Sequence, residues 1–380
     1  MKSLSILCIA LFTFTASYAQ VFTEESDPVE INSAIIVDNV VNASGGLSKG
    51  YTALGLLDFS VTYKPFSEGI FKNTAFFGQV VKTGGGEPSG ELIGDVQVAS
   101  NIEGRSSRFI YQLLIKQKIG DLNVSFGLHD LNTEFMTSSY AGEYINSSFG
   151  IFPAVSLNIP VPIFPVTSLG GIVAYNKTNF DIVAGFYNLN HEYLQEASFN
   201  LSNHTFLKGY LGVSEFRYRL PNAEYKIGGY LNNYHSAPDE DGEHPQHGEK
   251  GQGVYFIADQ QIFETAKGIQ FGSFAQVGLT PGQSNYAPEY YGLGLSVENL
   301  PENYMPEFIG LAVGSVNLHE YETTDELASS ANETVIELTM KKTLWERFTI
   351  QPDIQYILSP SGIYDDALVG ILRLQVELNK

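Results

Sequence analysis

Residues 345–356 read WERFTIQPDIQY. Phe348, Ile350, Ile354 and Tyr356 share one parity, while Arg347, Thr349, Gln351, Asp353 and Gln355 share the other. A strand repeats every two residues, so this stretch presents one apolar face and one polar, charged face. In a soluble sheet the apolar face meets a core and the polar face meets bulk water. In a membrane barrel the apolar face meets lipid and the polar face lines a wet interior. Pro352 falls on the apolar side, where it removes one ladder hydrogen bond, so a bulge or local irregularity is expected there.

The same alternation recurs along the chain. Arg108, Gln112 and Lys116 interleave with Phe109, Tyr111, Leu113 and Ile115. Glu215, Arg217 and Arg219 interleave with Phe216 and Tyr218, and Glu224 and Lys226 with Tyr225 and Ile227. Glu333, Glu337, Thr339 and Lys341 face away from Ile336, Leu338 and Met340. No comparable stretch has the 3.6-residue period of an amphipathic helix. The pattern predicts strands at 29–41, 50–63, 70–82, 105–117, 121–130, 168–176, 178–189, 210–220, 222–233, 251–263, 268–279, 288–298, 307–318, 331–342, 345–358 and 365–378. That is about sixteen strands of about ten residues, the length with which a tilted strand crosses a bilayer. Every second connection is short and turn-like, and the others are mostly long, notably 83–104, 131–167, 190–209, 234–250 and 319–330. A soluble sandwich has no reason to segregate loop length in this way. An all-β, transmembrane antiparallel barrel has one: short periplasmic turns and long extracellular loops.

Composition agrees with export. MKSLSILCIALFTFTASYAQ, residues 1–20, carries Lys2, an apolar run and Ser17-Tyr18-Ala19, which reads as a secretory signal over 1–19 followed by one barrel domain over 20–380. The single cysteine, Cys8, leaves with that segment, so disulfides and thiolate chemistry are excluded from the mature chain. Removing Lys2 leaves 21 − 1 = 20 basic residues against 42 acidic ones, a net charge of −22. Such a surface repels nucleic acid, whose phosphates need clustered cations. Beyond the signal no stretch approaches the ~18 apolar residues of a membrane helix.

Three segments invite chemistry. The connection 131–167 is apolar and rich in proline (Pro153, Pro160, Pro162, Pro165). Exposed, it would be an aggregation liability, and its prolines bar it from the sheet, so it is expected to fold into the lumen, with capping the barrel from outside or packing against a neighbouring subunit as the alternatives. There Tyr144, Phe149, Phe152 and Phe164 would form the constriction. By parity Arg108, Gln112, Glu215, Arg217, Arg219, Glu224, Lys226, Arg347 and Asp353 project inward and are the candidates to line the solute path. The loop HSAPDEDGEHPQHGEK, 235–250, groups His235, His244 and His247 with acids. Its spacing fits neither a zinc site nor an EF-hand loop, so no metal site is expected. An enzyme is not expected either. His129 is the only histidine in a predicted strand, and Asn123 and Ser125 on its face are spaced too far along the strand for a triad. Trp345 is left between an interfacial position and a turn.

Several blocks in one order resemble the carbohydrate-selective outer-membrane porins of the OprB type: LIGDVQVASNIEGRSSRFIYQLLIKQ (92–117), GLHDLNTEF (127–135), YINSSFGIFP (144–153) with the later PIFPVTSLGG (162–171), GVYFIADQQIF (253–263) and QPDIQYILSPSG (351–362). Gln112 stands where an acid is expected in that family. The resemblance implies a sixteen-stranded barrel in the outer membrane of a Gram-negative bacterium. It would pass small neutral solutes, mono- and oligosaccharides above all, with no enzymatic step and no cofactor. Its partners would be sugars as permeants, outer-membrane lipid and lipopolysaccharide, and further copies in a homo-oligomer. A non-selective general porin and a receptor or adhesin barrel are the alternatives.

Overall fold

The structure, a computed structural model, describes residues 28–378 except 67, 107, 190–208, 234–250, 282–284, 302–305 and 320–331. The signal segment and the loop 235–250 therefore lie outside the described residues.

Sixteen antiparallel strands close into one barrel, each bonded to its neighbours in chain order, with the first returning to the last. They are β1 Val29–Ser44, β2 Gly50–Tyr63, β3 Thr74–Gly85, β4 Arg108–Ile119, β5 Leu122–His129, β6 Ser168–Asn176, β7 Phe180–Leu189 and β8 Gly209–Leu220. Then follow β9 Ala223–Asn232, β10 Gln252–Glu264, β11 Gln270–Leu279, β12 Glu289–Glu298, β13 Phe308–Asn317, β14 Asn332–Leu344, β15 Phe348–Leu358 and β16 Ala367–Glu377. Each coincides with an expected strand to within a few residues. Closure leaves no free sheet edge. At the seam, inside the wall, Arg373 forks onto Asp38 with both contacts at 2.8 Å.

β15 answers the question of faces. Thr349, Gln351, Asp353 and Gln355 are buried, and Pro352, Ile354 and Tyr356 are exposed. The apolar parity points out of the barrel on other strands too: Leu57, Phe59, Ile115, Phe126, Ile182 and Leu295 are each about half exposed. A belt of this kind around a whole barrel is a lipid-facing surface. Aromatic residues gather where the outer face meets the short turns, with Phe263 stacked on Phe271 at 4.1 Å and Trp345 on Phe348 at 6.2 Å. Trp345 itself is in the β14–β15 turn, 84% exposed and in the left-handed region with Glu346 (φ 52° and 64°).

Parity misleads in two places, and Pro352 shows the expected irregularity without a bulge: its pairing with β16 is unbroken, while the β14 ladder skips residues 351 and 352 and resumes in the same register. Because Pro352 lies on an already regular pair, the missing N–H costs pairs and not register. A bulge does occur between β3 and β4 at Gln79/Val80. It turns Tyr111, which simple alternation puts on the lipid side, fully inward, where its hydroxyl donates to Asp130. The inner face is also not polar throughout. In β8 it runs Leu211, Val213, Glu215, Arg217, Arg219 from the long-loop end to the turn end. The apolar end packs with Phe135, Met136, Phe152 and Val155 of the β5–β6 connection.

Candidate functional site

The connection between β5 and β6 is tied to one strand after another through side chains of the buried strand face. Arg217 on β8 donates from Nε to Glu215 at 2.6 Å and from Nη1 to Glu134 at 3.0 Å, and Nη2 donates to the Glu134 carbonyl. Glu215 also accepts from the Met136 N–H (3.1 Å) and the Tyr255 hydroxyl (2.7 Å). Lys226 on β9 donates to the Thr137 carbonyl at 2.7 Å. Asp259 on β10 accepts from the Ser138 hydroxyl and the Ser139 N–H. On β14 Lys341 pairs with Glu143, and Glu337 accepts two successive N–H groups, Ile145 at 2.7 Å and Asn146 at 3.0 Å. Asn146 then reaches Gln355 on β15 at 3.1 Å. Charge-assisted bonds to backbone are the strong kind, and here they satisfy a buried irregular segment that has no ladder of its own.

Glycines on the inner wall give this segment room. A Cβ on Gly272 of β11 would sit 2.0 Å from the Tyr140 ring, and one on Gly310 of β13 would sit 2.6 Å from the Tyr144 hydroxyl. Each tyrosine thus lies on bare backbone, and the Tyr144 hydroxyl donates to the Leu295 carbonyl at 3.0 Å.

A second segment, the β3–β4 connection 86–107, does the same on the adjoining arc, from β14 through β15 to β1. The Val96 and Gln97 N–H groups both bond Glu333 at 2.8 Å, Gln355 donates to the Ala99 carbonyl at 2.8 Å, and Ser100 donates to Asp38 at 2.7 Å. The two segments also join each other, through Asn101 N–H to the Ile145 carbonyl and Ser147 N–H to the Val98 carbonyl. Glu333 and Glu337, four residues apart on one face of β14, thus clamp one segment each. Their parity marks them as inward, but nothing in their spacing shows that they grip backbone. Burial dominates several carboxyls in these connections. It holds Asp130 up at about 6 and, with the charge of Asp95, Glu103 at about 7. Glu134 is raised by burial despite the Arg217 guanidinium beside it.

The expected wall residues sort into distinct positions. Glu215, Arg217 and Lys226 are buried under the β5–β6 segment. Asp353 is buried beside Gln355, which donates to it at 3.0 Å. Gln112 bonds Gln79 at 3.0 Å, and Gln79 bonds Asp58 at 2.8 Å, a polar chain across β2, β3 and β4. Arg219 pairs with Asp181 near the turn rim, and Glu224 reaches both Arg219 (3.6 Å) and Lys226 (3.0 Å). Arg108 opens β4 opposite Lys82, but its side chain lies outside the described residues. Arg347 is not on the wall: it is exposed in the β14–β15 turn, where its backbone caps the hairpin. Tyr144, Phe149 and Phe152 are sealed from solvent. They anchor the segment in clusters with Phe274, Phe308, Tyr255 and Tyr290. Only Phe164, edge-on to Tyr111, stays partly open.

Strand spacing also misjudged Ser125 and His129. Gly127, at φ 142°, departs there from ordinary strand geometry, and Ser125 Oγ meets His129 Nε2 at 2.9 Å. Both residues are about 1% exposed, so the pair is packing and not a reachable nucleophile.

The sequence profile of the carbohydrate-selective porins, OprB family, matches residues 69–378. The chain belongs to that family. It is a sugar-selective porin of the Gram-negative outer membrane, and its family and fold point to a channel rather than an enzyme. No curated protein sequence matches it. Among solved structures it is similar to Pseudomonas putida OprB at high pH, with 19% identity, TM-score 0.80 and coverage of 92% of this chain and 94% of that one. The low-pH structure of the same protein matches at 16% identity and TM-score 0.58, covering 92% and 93%. A loop-deleted OmpT of Vibrio cholerae matches at 9% identity and TM-score 0.54, covering 92% and 100%. At these identities the structures speak for the fold alone, the closed sixteen-strand barrel that this porin shares with them.

Proposed function

We propose that this porin passes mono- and oligosaccharides by passive diffusion, and that segment 131–167, lying inside the barrel with 86–107, sets the constriction. The ladder of bonds from Glu134 to Asn146 supports this most directly. It holds irregular backbone against five strands of the inner wall, where a mobile loop could not discriminate solutes. On this reading Glu215, Arg217, Lys226 and Asp353 hold the constriction in place and do not themselves meet solute. Hydroxyl, amide and carboxylate groups along the free edge replace water around a neutral sugar. No covalent step is needed. Residues 1–19 are the export signal, the long loops face outward, and lipopolysaccharide surrounds the outer half of the apolar belt.

Liposome swelling with refolded protein tests the reading. Glucose and maltose are expected to swell vesicles faster than uncharged or zwitterionic non-sugars of matched size. Rates that follow size alone would mean a general porin, and a folded barrel that gives no swelling would mean a receptor or adhesin.

A further inference from the structure

Four of the six aromatic rings that segment 131–167 carries are sealed: Phe135, Phe149 and Phe152 have no exposure, and Tyr144 has 2%. Phe164, edge-on to Tyr111, is partly open, and so is Tyr140. The back of its ring is seated on Gly272, and it packs against the apolar cluster around Phe149 and Phe274, yet the residue stays partly open. Its neighbours Ser139 and Gly142 are exposed, so the chain beside the ring does not cover it. Burial, then the charges of Glu298 and Asp259, push its hydroxyl up to about 12, which keeps it a neutral donor. Glu298 lies on the inner face of β12, within electrostatic reach of Glu143 and Lys341. Those two pair with each other and keep 10% and 14% of their side-chain surface. Glu298 also accepts from Ser296 at 3.0 Å.

A pyranose has an apolar C–H face and a rim of hydroxyls that both donate and accept. It needs a flat, fixed apolar surface bordered by acceptors and a cation, with enough charge balance not to demand an ionic ligand. Of the sites around the β5–β6 segment, the surroundings of Tyr140 meet that description. We propose that Tyr140 is the stacking platform of a carbohydrate subsite, with Glu298, Glu143 and Lys341 bonding the hydroxyls of a neutral pyranose laid on its ring. The seat on Gly272 fixes the ring before sugar arrives, so stacking costs little ordering. This subsite rests on the sugar-porin reading above and adds to it a residue that determines specificity.

The test is single barrels in planar bilayers, with the salt current titrated by maltose. Tyr140→Ala is expected to raise the half-blocking maltose concentration roughly three- to tenfold, while Tyr140→Phe, which keeps the ring, shifts it by less than about twofold. Open-channel current without sugar and heat-dependent gel migration report that each barrel is intact. If Tyr140→Ala does not insert, Tyr140→Leu fills the same seat without an aromatic face and carries the same expectation. An unchanged half-blocking concentration in the ringless variant, or an equal loss in Tyr140→Phe, overturns the subsite and leaves sugar transport standing. A wild-type barrel that swells vesicles in maltose but shows no block overturns the subsite too. One that passes no sugar at all overturns the transport reading instead.

Discussion

Arg217 shows how much a single inward side chain can hold. It is buried between Glu134 and Glu215, bonded to both carboxylates and to the Glu134 carbonyl. Removing it leaves two buried anions without their cation, a change that in other proteins costs about 3–5 kcal/mol. Arg217→Ala is therefore expected to lower stability to urea by that order, and to raise open-channel conductance as residues 134–137 lose their tie to β8. Arg217→Lys restores charge but not the fork, so it should recover only part of either. Unchanged conductance in both variants would show that the segment is held by its other strands alone. The sequence made Arg217 conspicuous by parity and charge. It could not show the partner, because parity states which way a side chain points and Glu134 comes from a segment with no periodicity.

At the level of the element, strands were fully legible and their exceptions were not. Sixteen runs of alternation became sixteen strands because lipid on one side and a wet or packed interior on the other enforce a strict period of two. The bulge at Gln79/Val80 that turns Tyr111 inward is set by backbone pairing across strands, and the unusual φ of Gly127 by its own backbone. A linear pattern carries no trace of either. The apolar inner positions Leu211 and Val213 did carry a signal, a run apolar at both parities, but that run reads equally as a lipid-facing strand end. β15 gives a direct check on the assignment of faces. Ile354→Arg puts a cation into the lipid belt and should cost about 2–4 kcal/mol if it sits near the bilayer midplane, read as a loss of refolding yield into vesicles. Gln355→Leu, one residue on, should refold into vesicles but weaken the hold on Ala99 and Asn146, read as a change in conductance. If Ile354→Arg refolds as well as Gln355→Leu, the outward face is not in lipid.

For the molecule as a whole, acid and base act on the two connections at the wall. Glu103 and Asp130 titrate above their unfolded range, and burial raises Asp95 as well. The folded state therefore holds protons that the unfolded chain releases between about pH 4 and pH 7. Stability from these groups is complete below about pH 4 and is lost as pH rises through 6 to 7. The barrel in detergent is expected to melt higher at pH 5 than at pH 8, and Glu103→Gln should flatten part of that slope. A wild-type slope of the opposite sign would mean that the carboxylates held by arginine and lysine outweigh these three.

The ties along the inner wall also order the assembly in time. They join residues 79 positions apart at Met136–Glu215, 121 at Ser138–Asp259, 192 at Ile145–Glu337 and 209 at Asn146–Gln355. Loop-closure entropy makes such contacts late. The segment reaches its first anchors when β8 is in place and its last only when β15 has joined. A nascent barrel is thus a wider and less discriminating hole than the finished one, and sealing the seam at Asp38 and Arg373 is the moment at which a leak becomes a filter.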